Sequence, residues 1–246
     1  MAKGKKQDVQ EMGLWRRFKR IVYFKILRLF GRVLRVAMYL AALMVLWVAS
    51  YSLINPPSTI YIQQEKARLG SVKREWVPID QIAPVMLRSV VAAEDANFCA
   101  HWGFDMQAIR AAIAAGGQRG GSTLTQQVVK NAHLWHGRNY VRKTMEASLT
   151  PFVELFWSKR RILEVYLNIA EFDEGVFGVG AAAQHYFGVG AAELSAVQAA
   201  RLAAILPSPK SRSAIRPAEF TRRQAARILD GAETIRRDGR AACFED

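Results

Sequence analysis

Glu94 and Asp95 stand side by side at the end of an apolar run, residues 85–93 (VMLRSVVAA), with Phe98, His101 and Gly103 at fixed offsets behind them. Two adjacent carboxylates at the edge of a core are where desolvation and a like charge can tune an acid or base. A solvated helix end is the plain alternative. A second group, GGSTLTQQVVKN over 120–131, sets two glycines before a helix start. The free N–H groups and positive dipole end there suit an anion, particularly a phosphate. On the helix that follows, Gln126 and Lys130 share a face, as do Gln127 and Asn131. The hydroxyls and amides of Ser122, Thr123, Thr125, Gln126, Gln127 and Asn131 point to a polar ligand such as a sugar. The same residues would also serve an ordinary capped helix with a polar face.

The third group is Arg142-Lys143-x-x-Glu146, three charges that meet on one helix face. On a surface such a pair contributes only a few tenths of a kcal/mol. A diphosphate would give the cations a reason to gather, since Lys130, Arg142 and Lys143 could stabilise charge developing on a departing pyrophosphate. In KRRILEVYLNIAEF, 159–172, Glu164 and Asn168 read as structural, and the basic residues 159–161 as able to touch headgroups or substrate phosphate. His133 and His136 have weak metal-ligand spacing and no local carboxylate partner. Cys99 and Cys243 form no metal or redox motif. A disulfide between them would need an oxidising compartment, nothing in the sequence brings them together, and both read as incidental.

The elements that must hold these groups are mostly helical. Pro84 can open the helix that ends at Glu94. Asp105 can cap a helix stopped by Gly116-Gly117. Thr123 to Gln126 fits a capping box, with helix continuing through QQVVKNAHLW, and so do Ser195 to Gln198 and Thr221 to Gln224. Residues 139–157 are helical, with Pro151 expected to kink or split the element. Ser158 starts another helix, which buries Ile162, Leu163, Tyr166 and Leu167.

The chain has 246 residues and a net charge of +14. Residues 36–54 carry no charge over 19 positions, about enough to cross a bilayer core of roughly 30 Å. The apolar run is too long and starts too late for a cleaved leader, and Asn55-Pro56-Pro57 lacks a cleavage pattern. Residues 1–35 hold eleven Lys or Arg against two acids, a net +9 that leaves +5 for the rest. That asymmetry predicts one membrane span with a cytoplasmic N-terminus and an extracytoplasmic body. The clustering, with Trp15, Phe18, Tyr23 and Phe24 interleaved, favours a basic collar on anionic lipid over nucleic acid. The expected organisation is a basic cytoplasmic segment (1–35), a transmembrane helix (36–54), a stalk (55–77) and a catalytic domain (78–246).

Together these segments resemble the peptidoglycan glycosyltransferase family. Its Glu-Asp-x-x-Phe-x-x-His-x-Gly pattern matches Glu94, Asp95, Phe98, His101 and Gly103. Its Gly-x-Ser-Thr-(apolar)-(Ser/Thr)-Gln-Gln motif is similar to Gly120 through Gln127, extended by Lys130 and Asn131. Arg142, Lys143 and Glu146 match Arg-Lys-x-x-Glu, and Lys159, Ile162, Leu163, Tyr166, Leu167 and Asn168 match a fourth motif. The stretch from GVFGVG to ILPSP resembles the closing segment, with Gln198 where the family more often has Glu. With no Ser-x-x-Lys in the chain, the likeness is to the monofunctional form.

The resemblance implies a mainly α fold: a lysozyme-like catalytic lobe and a small membrane-contacting lobe, preceded by one transmembrane helix. It implies a polymerase at the inner membrane that elongates glycan strands from lipid II, forming β-1,4 bonds with inversion and releasing undecaprenyl diphosphate. Glu94 would be the general base, ionised and of moderate pKa. Glu146, the second carboxylate, would orient Arg142 and Lys143, or a metal ion, about the pyrophosphate. Ser122, Thr123, Gln126, Gln127, Lys130 and Asn131 would complete the substrate site, supported by Asp95, Phe98, His101 and Gly103. Asp95 could aid catalysis or accept hydrogen bonds at a helix end. Expected partners are lipid II, the lipid-linked glycan, membrane lipids and cell-wall synthesis or division proteins, with no nucleic acid. No cofactor is required, though the family's divalent-cation dependence admits Mg²⁺. A lytic transglycosylase would cut glycan with one protonated Glu and need no phosphate-binding cations. A non-catalytic glycan-binding scaffold would tolerate loss of Glu94.

Overall fold

The computed structural model describes every residue except 1, 115, 117–120, 138 and 246, and the side chains except those of 2–14 and 16–22 as well. The expected stop at Gly117, the motif residue Gly120 and the Phe18 side chain therefore lie outside the described residues. Two compact units are present, residues 1–47 and 48–246.

The described residues of the first unit are helical, part of α1 (Ala2–Ser50). Within α1, Tyr23–Ser50 is long and apolar enough to cross a membrane, with a mean hydropathy of 2.0. The helix stops at Ser50, so Tyr51 to Ile54 do not continue it as expected. Their backbone turns back instead, with the Ile54 N–H donating to Ser50 O at 2.9 Å. Arg161 holds the turn by donating to the carbonyls of Tyr51 and Ile54.

The second unit is mainly α. Residues 55–77, read from sequence as a stalk, carry α2 (Ile60–Leu69), capped by the Thr59 side chain, and strand β1 (Lys73–Arg74). Then come α3 (Pro84–Glu94), α4 (Met106–Ala114), α5 (Leu124–His133), α6 (Tyr140–Phe156) and α7 (Lys159–Ile169). Strands β2 (Glu171–Asp173) and β3 (Val176–Phe177) follow, then α8 (Val179–Phe187), α9 (Ala196–Ile205), α10 (Glu219–Arg237) and α11 (Ala242–Glu245). The sheet order is β1-β3-β2, with β1 parallel and β2 antiparallel to β3.

Helices α3, α9 and α10 pack on one another, and α5 packs against α6 and α7. Met86 and Val90 of α3, Leu124 and Val128 of α5, and Ile162 and Leu163 of α7 are fully buried. Both capping boxes at Thr123 and Ser195 form. The one expected at Thr221 does not. Helix α10 starts earlier, after Ala218, and Thr221 is buried inside its first turns. Pro151 sits within α6, which runs unbroken. Asn168 is structural, as read: its side chain bonds both Val77 N and Val77 O, tying α7 to the segment before α3.

The basic residues 159–161, expected near phosphate or lipid headgroups, are spent on the fold. Lys159 bonds Glu154 and the His101 carbonyl, Arg160 pairs with Asp80, and Arg161 pairs with Glu164. The two cysteines are not incidental either. Cys99 and Cys243 form a disulfide across 144 residues, with Cα atoms 5.8 Å apart. Closing so long a loop removes unfolded-chain entropy, and such bridges typically stabilise by about 2–4 kcal/mol.

Candidate active site

Glu94 is the last residue of α3, and Gln127 lies one turn into α5. The Gln127 Nε2 donates to Glu94 Oε2 at 2.8 Å. The Tyr166 hydroxyl approaches Gln127 Oε1 at 3.4 Å, which leaves the amide nitrogen to face the carboxylate. Burial pushes the Glu94 carboxyl above its ordinary range, while the Gln127 hydrogen bond and the Lys130 charge pull it back and Asp95 adds to the rise. A carboxyl raised in this way is better matched to proton transfer near neutral pH than an ordinary surface glutamate.

Asp95 caps the C-terminus of α3 and is 7 % exposed. Its Oδ2 accepts the Leu124 N–H, the first of α5, at 3.0 Å, and its Oδ1 meets His101 Nε2 at 2.8 Å. A carboxylate at the positive end of a helix is stabilising there. Asp95 therefore locks the end of α3 to the start of α5 as a hydrogen-bond acceptor at a helix end. Phe98 is fully buried beside His101 and lies under Lys159, whose Nζ is 4.5 Å from the ring centroid. Gly103 has φ +80°, and a Cβ there would come within 2.6 Å of Thr150 Cγ2. Only glycine fits that turn without strain.

Thr123 and Gln126 are occupied with each other's backbone in the capping box, and the Thr123 hydroxyl reaches the Gly103 carbonyl at 2.7 Å. Thr125 donates to Glu154 at 2.5 Å. These three hold the scaffold, which favours the capped-helix reading for them over direct ligand contact. Ser122 accepts from Lys143 Nζ at 3.0 Å, joining the second motif to the third. Glu146 is 2 % exposed and takes both cations: Arg142 Nη1 at 2.6 Å, and the Lys143 ammonium. Arg142 also donates to the Gly137 carbonyl.

Among the described residues the Lys130 ammonium has no hydrogen-bond or ion-pair partner. Burial lowers its pKa, and the charges of Glu146 and Glu94 oppose that shift. It lines a cleft of about 450 Å³ together with Gln127, Asn131, Tyr61, His136, Tyr166 and Lys210. A second hollow, about 420 Å³, is lined by Glu94, Asp95, Ser122 and Thr123. Glu94 and Gln127 thus form the ridge between two cavities.

Sequence reasoning missed the far wall of the larger cleft. Tyr61 stacks on His136 at 3.6 Å between ring centroids and donates to Glu171. Lys210 bridges Glu65 at 2.9 Å and Glu171 at 3.7 Å. Tyr61 sits in a segment without a local pattern, and only the basic turn PSPKSR after α9 hinted at Lys210. His136 also contacts Asn131 at 3.1 Å, and burial with nearby Lys130, Arg142 and Lys210 lowers its pKa to about 4. His133 instead stacks on Tyr51 at 5.2 Å and is lowered to about 4 by burial. The two histidines thus have separate surroundings. Among the described residues no three His, Cys, Asp or Glu side chains gather as a metal cluster.

The family model described as Transglycosylase matches residues 62–233, which include every motif named above. The chain belongs to the transglycosylase family. Its relatives include the biosynthetic peptidoglycan transglycosylase of Jannaschia sp. (strain CCS1), 63% identical over 205 residues, or 83% of this chain and 86% of that one. The protein of the same name from Caulobacter vibrioides is 44% identical over 80% of this chain and 87% of its own. That of Pseudomonas syringae pv. syringae is 46% identical over 80% and 88%. As a transglycosylase the chain is a glycosyl-transferring enzyme. Both the carboxylate ridge and the cation group lie inside the matched region.

Proposed function

We propose that this transglycosylase polymerises peptidoglycan glycan from lipid II at the inner membrane. The observation that carries the reading is Lys130, a partly buried cation without a protein partner, set in a cleft beside the Glu94–Gln127 ridge. An uncompensated buried charge is costly unless something pairs with it. A diphosphate is an anion of the right kind, and Arg142 and Lys143, gathered on Glu146, add to the positive field. A hydrolase that cuts glycan has no use for that cluster.

In this reaction Glu94 takes the proton from the acceptor sugar's 4-hydroxyl as its oxygen attacks the donor's anomeric carbon. The bond from that carbon to the α-linked phosphate oxygen breaks, and undecaprenyl diphosphate departs with the electron pair. A β-1,4 bond forms with inversion. The leaving group needs charge stabilisation rather than a proton, which Lys130, Arg142 and Lys143 supply. Glu146 orients the latter two. Asn131 and Ser122 are placed to meet polar parts of the substrate.

A lipid substrate needs an enzyme at the membrane. Helix α1 offers the anchor, and the +9 segment before its apolar part favours a cytoplasmic N-terminus. The Cys99–Cys243 disulfide fits an oxidising, extracytoplasmic location for the body. Helix α4 has no buried residue and exposes Met106 and Ile113, while α6 exposes Tyr140 (94 %), Val141 and Leu155. Apolar surface of that kind suits a membrane-contacting lobe.

The test is to give the full-length protein in detergent either labelled lipid II or preformed glycan strands. Polymer from the first and no cleavage of the second is expected. Cleavage of strands without polymer would overturn the proposal.

A further inference from the structure

The chain has only two cysteines, and their bridge lands on the loop that follows the base. Cys99 lies in the short 3₁₀ turn Phe98–Ala100, between Asp95 and His101. Cys243 lies on α11, and α11 packs on this turn and on α7. Phe244 is fully buried with its ring 6.4 Å from that of Phe98. Arg240 donates to the Ala96 carbonyl at 2.9 Å. Two further ties hold the C-terminal segment in turn. Arg88 of α3 pairs with Glu245 at 2.6 Å, and Arg160 of α7 donates to the Phe244 carbonyl at 3.0 Å. Residues 240–245 therefore form a clamp across α3, the 95–101 loop and α7.

The loop under the clamp does specific work. Asp95 terminates α3 directly after Glu94, and its carboxylate reaches Leu124 and His101. The Asp95 N–H closes the last turn of α3 on Val91 O at 2.9 Å. Slack in residues 96–101 would be passed to Asp95, and through it to the Glu94–Gln127 contact. The Arg240–Ala96 bond is exchangeable with water, because it lies at the surface. The covalent bridge is not.

We infer that the Cys99–Cys243 disulfide is a positioning element for the Glu94 base, so that transferase turnover depends on the oxidised state of this bridge. The inference rests on the functional reading above. Formation of the bridge removes two electrons and two protons from the thiols, supplied to a disulfide-type oxidant by thiol–disulfide exchange. Both sulfur-bearing residues are partly exposed, so a reductant can reach them after folding.

The experiment uses full-length oxidised protein in detergent, reduced after folding with a water-soluble phosphine. The phosphine becomes its oxide, with oxygen from water, and the disulfide becomes two thiols. The polymerisation kcat, KM and pH–rate profile are compared before reduction, after it, and after reoxidation with oxidised glutathione. The Cys99→Ser/Cys243→Ser double variant is run in parallel. Reduction should lower kcat roughly tenfold, since small misplacements of a reacting group are expensive. KM should stay within about twofold and far-UV circular dichroism should not change. The acidic limb of the pH profile should move, and reoxidation should restore the wild type but not the double variant.

Unchanged kcat after reduction would overturn the inference, even with a lower Tm, because the bridge would then be a staple only. A loss seen in KM alone would overturn it too. Should the double variant fail to fold, the reduced wild type still decides. No polymer from the oxidised wild type would sink the functional reading itself, whereas full turnover after reduction sinks only the positioning role.

Discussion

Gln127 donates its side-chain amide to Glu94 at 2.8 Å, and that bond joins the end of α3 to the face of α5. It links the first motif to the second through chemistry rather than packing. Its charge-assisted character favours the ionised form of a carboxyl that burial pushes the other way.

Gln127→Ala should therefore raise the Glu94 pKa further. A base works only as the carboxylate, so activity is lost as pH falls through that pKa. The acidic limb of kcat/KM should move to higher pH in the variant. Loss of a hydrogen bond to a charged group is of order 1.5–3 kcal/mol, so on the acidic side activity should fall by roughly 10–100-fold. A pH–rate series on both proteins checks this.

Glu94→Gln should stabilise the protein at neutral pH. The folded-state pKa of Glu94 is raised, so the folded form binds its proton more tightly than the unfolded chain does. Wild-type stability falls as pH rises from the unfolded value through the raised one, and each unit of elevation costs about 1.4 kcal/mol. The variant has no such loss. Calorimetry should show a higher Tm for the variant at pH 7.5, by roughly 2–4 °C per kcal/mol, with the gain vanishing below about pH 4.

Lys130→Met should separate function from folding. The ammonium is desolvated without a partner, so its removal should not lower Tm at pH 7. If it stabilises the leaving diphosphate, kcat should drop by about 10²–10³. Parallel melting curves and polymerisation rates read both effects.

Gly103→Ala should destabilise through backbone and contact together. The left-handed φ of +80° costs an L-residue roughly 1–2 kcal/mol, and the new methyl meets Thr150 Cγ2 at 2.6 Å. A total of about 2–4 kcal/mol is expected from urea unfolding. Adding Thr150→Ser, which removes the obstructing methyl and keeps the hydroxyl that bonds Glu146 O, should recover part of it.

What could be read from sequence was local. Glu94, Lys130 and the Arg142-Lys143-Glu146 cluster lie on helices whose periodicity and caps are written in neighbouring residues. The Thr123 and Ser195 boxes were legible for the same reason. The α10 start was not, because Ala218 has no side chain that caps a helix, whereas Thr221 and Gln224 mimic the capping pattern. Lys159, Arg160 and Arg161 looked like a basic patch for phosphate. Their partners Glu154, Asp80 and the Tyr51 carbonyl come from other elements, and no spacing rule reports them. Tyr61, Lys210 and the Cys99–Cys243 bridge are long-range for the same reason. The bridge spans 144 residues, a separation at which sequence carries no register.

In the proposed reaction Glu94 is the base that activates the acceptor hydroxyl. The most direct measurement is the initial rate of glycan polymer formation from labelled lipid II by wild type and by Glu94→Gln, both confirmed as folded. General-base catalysis predicts a loss on the order of 10²–10⁴ in the variant. Equal polymer from the two proteins would contradict it.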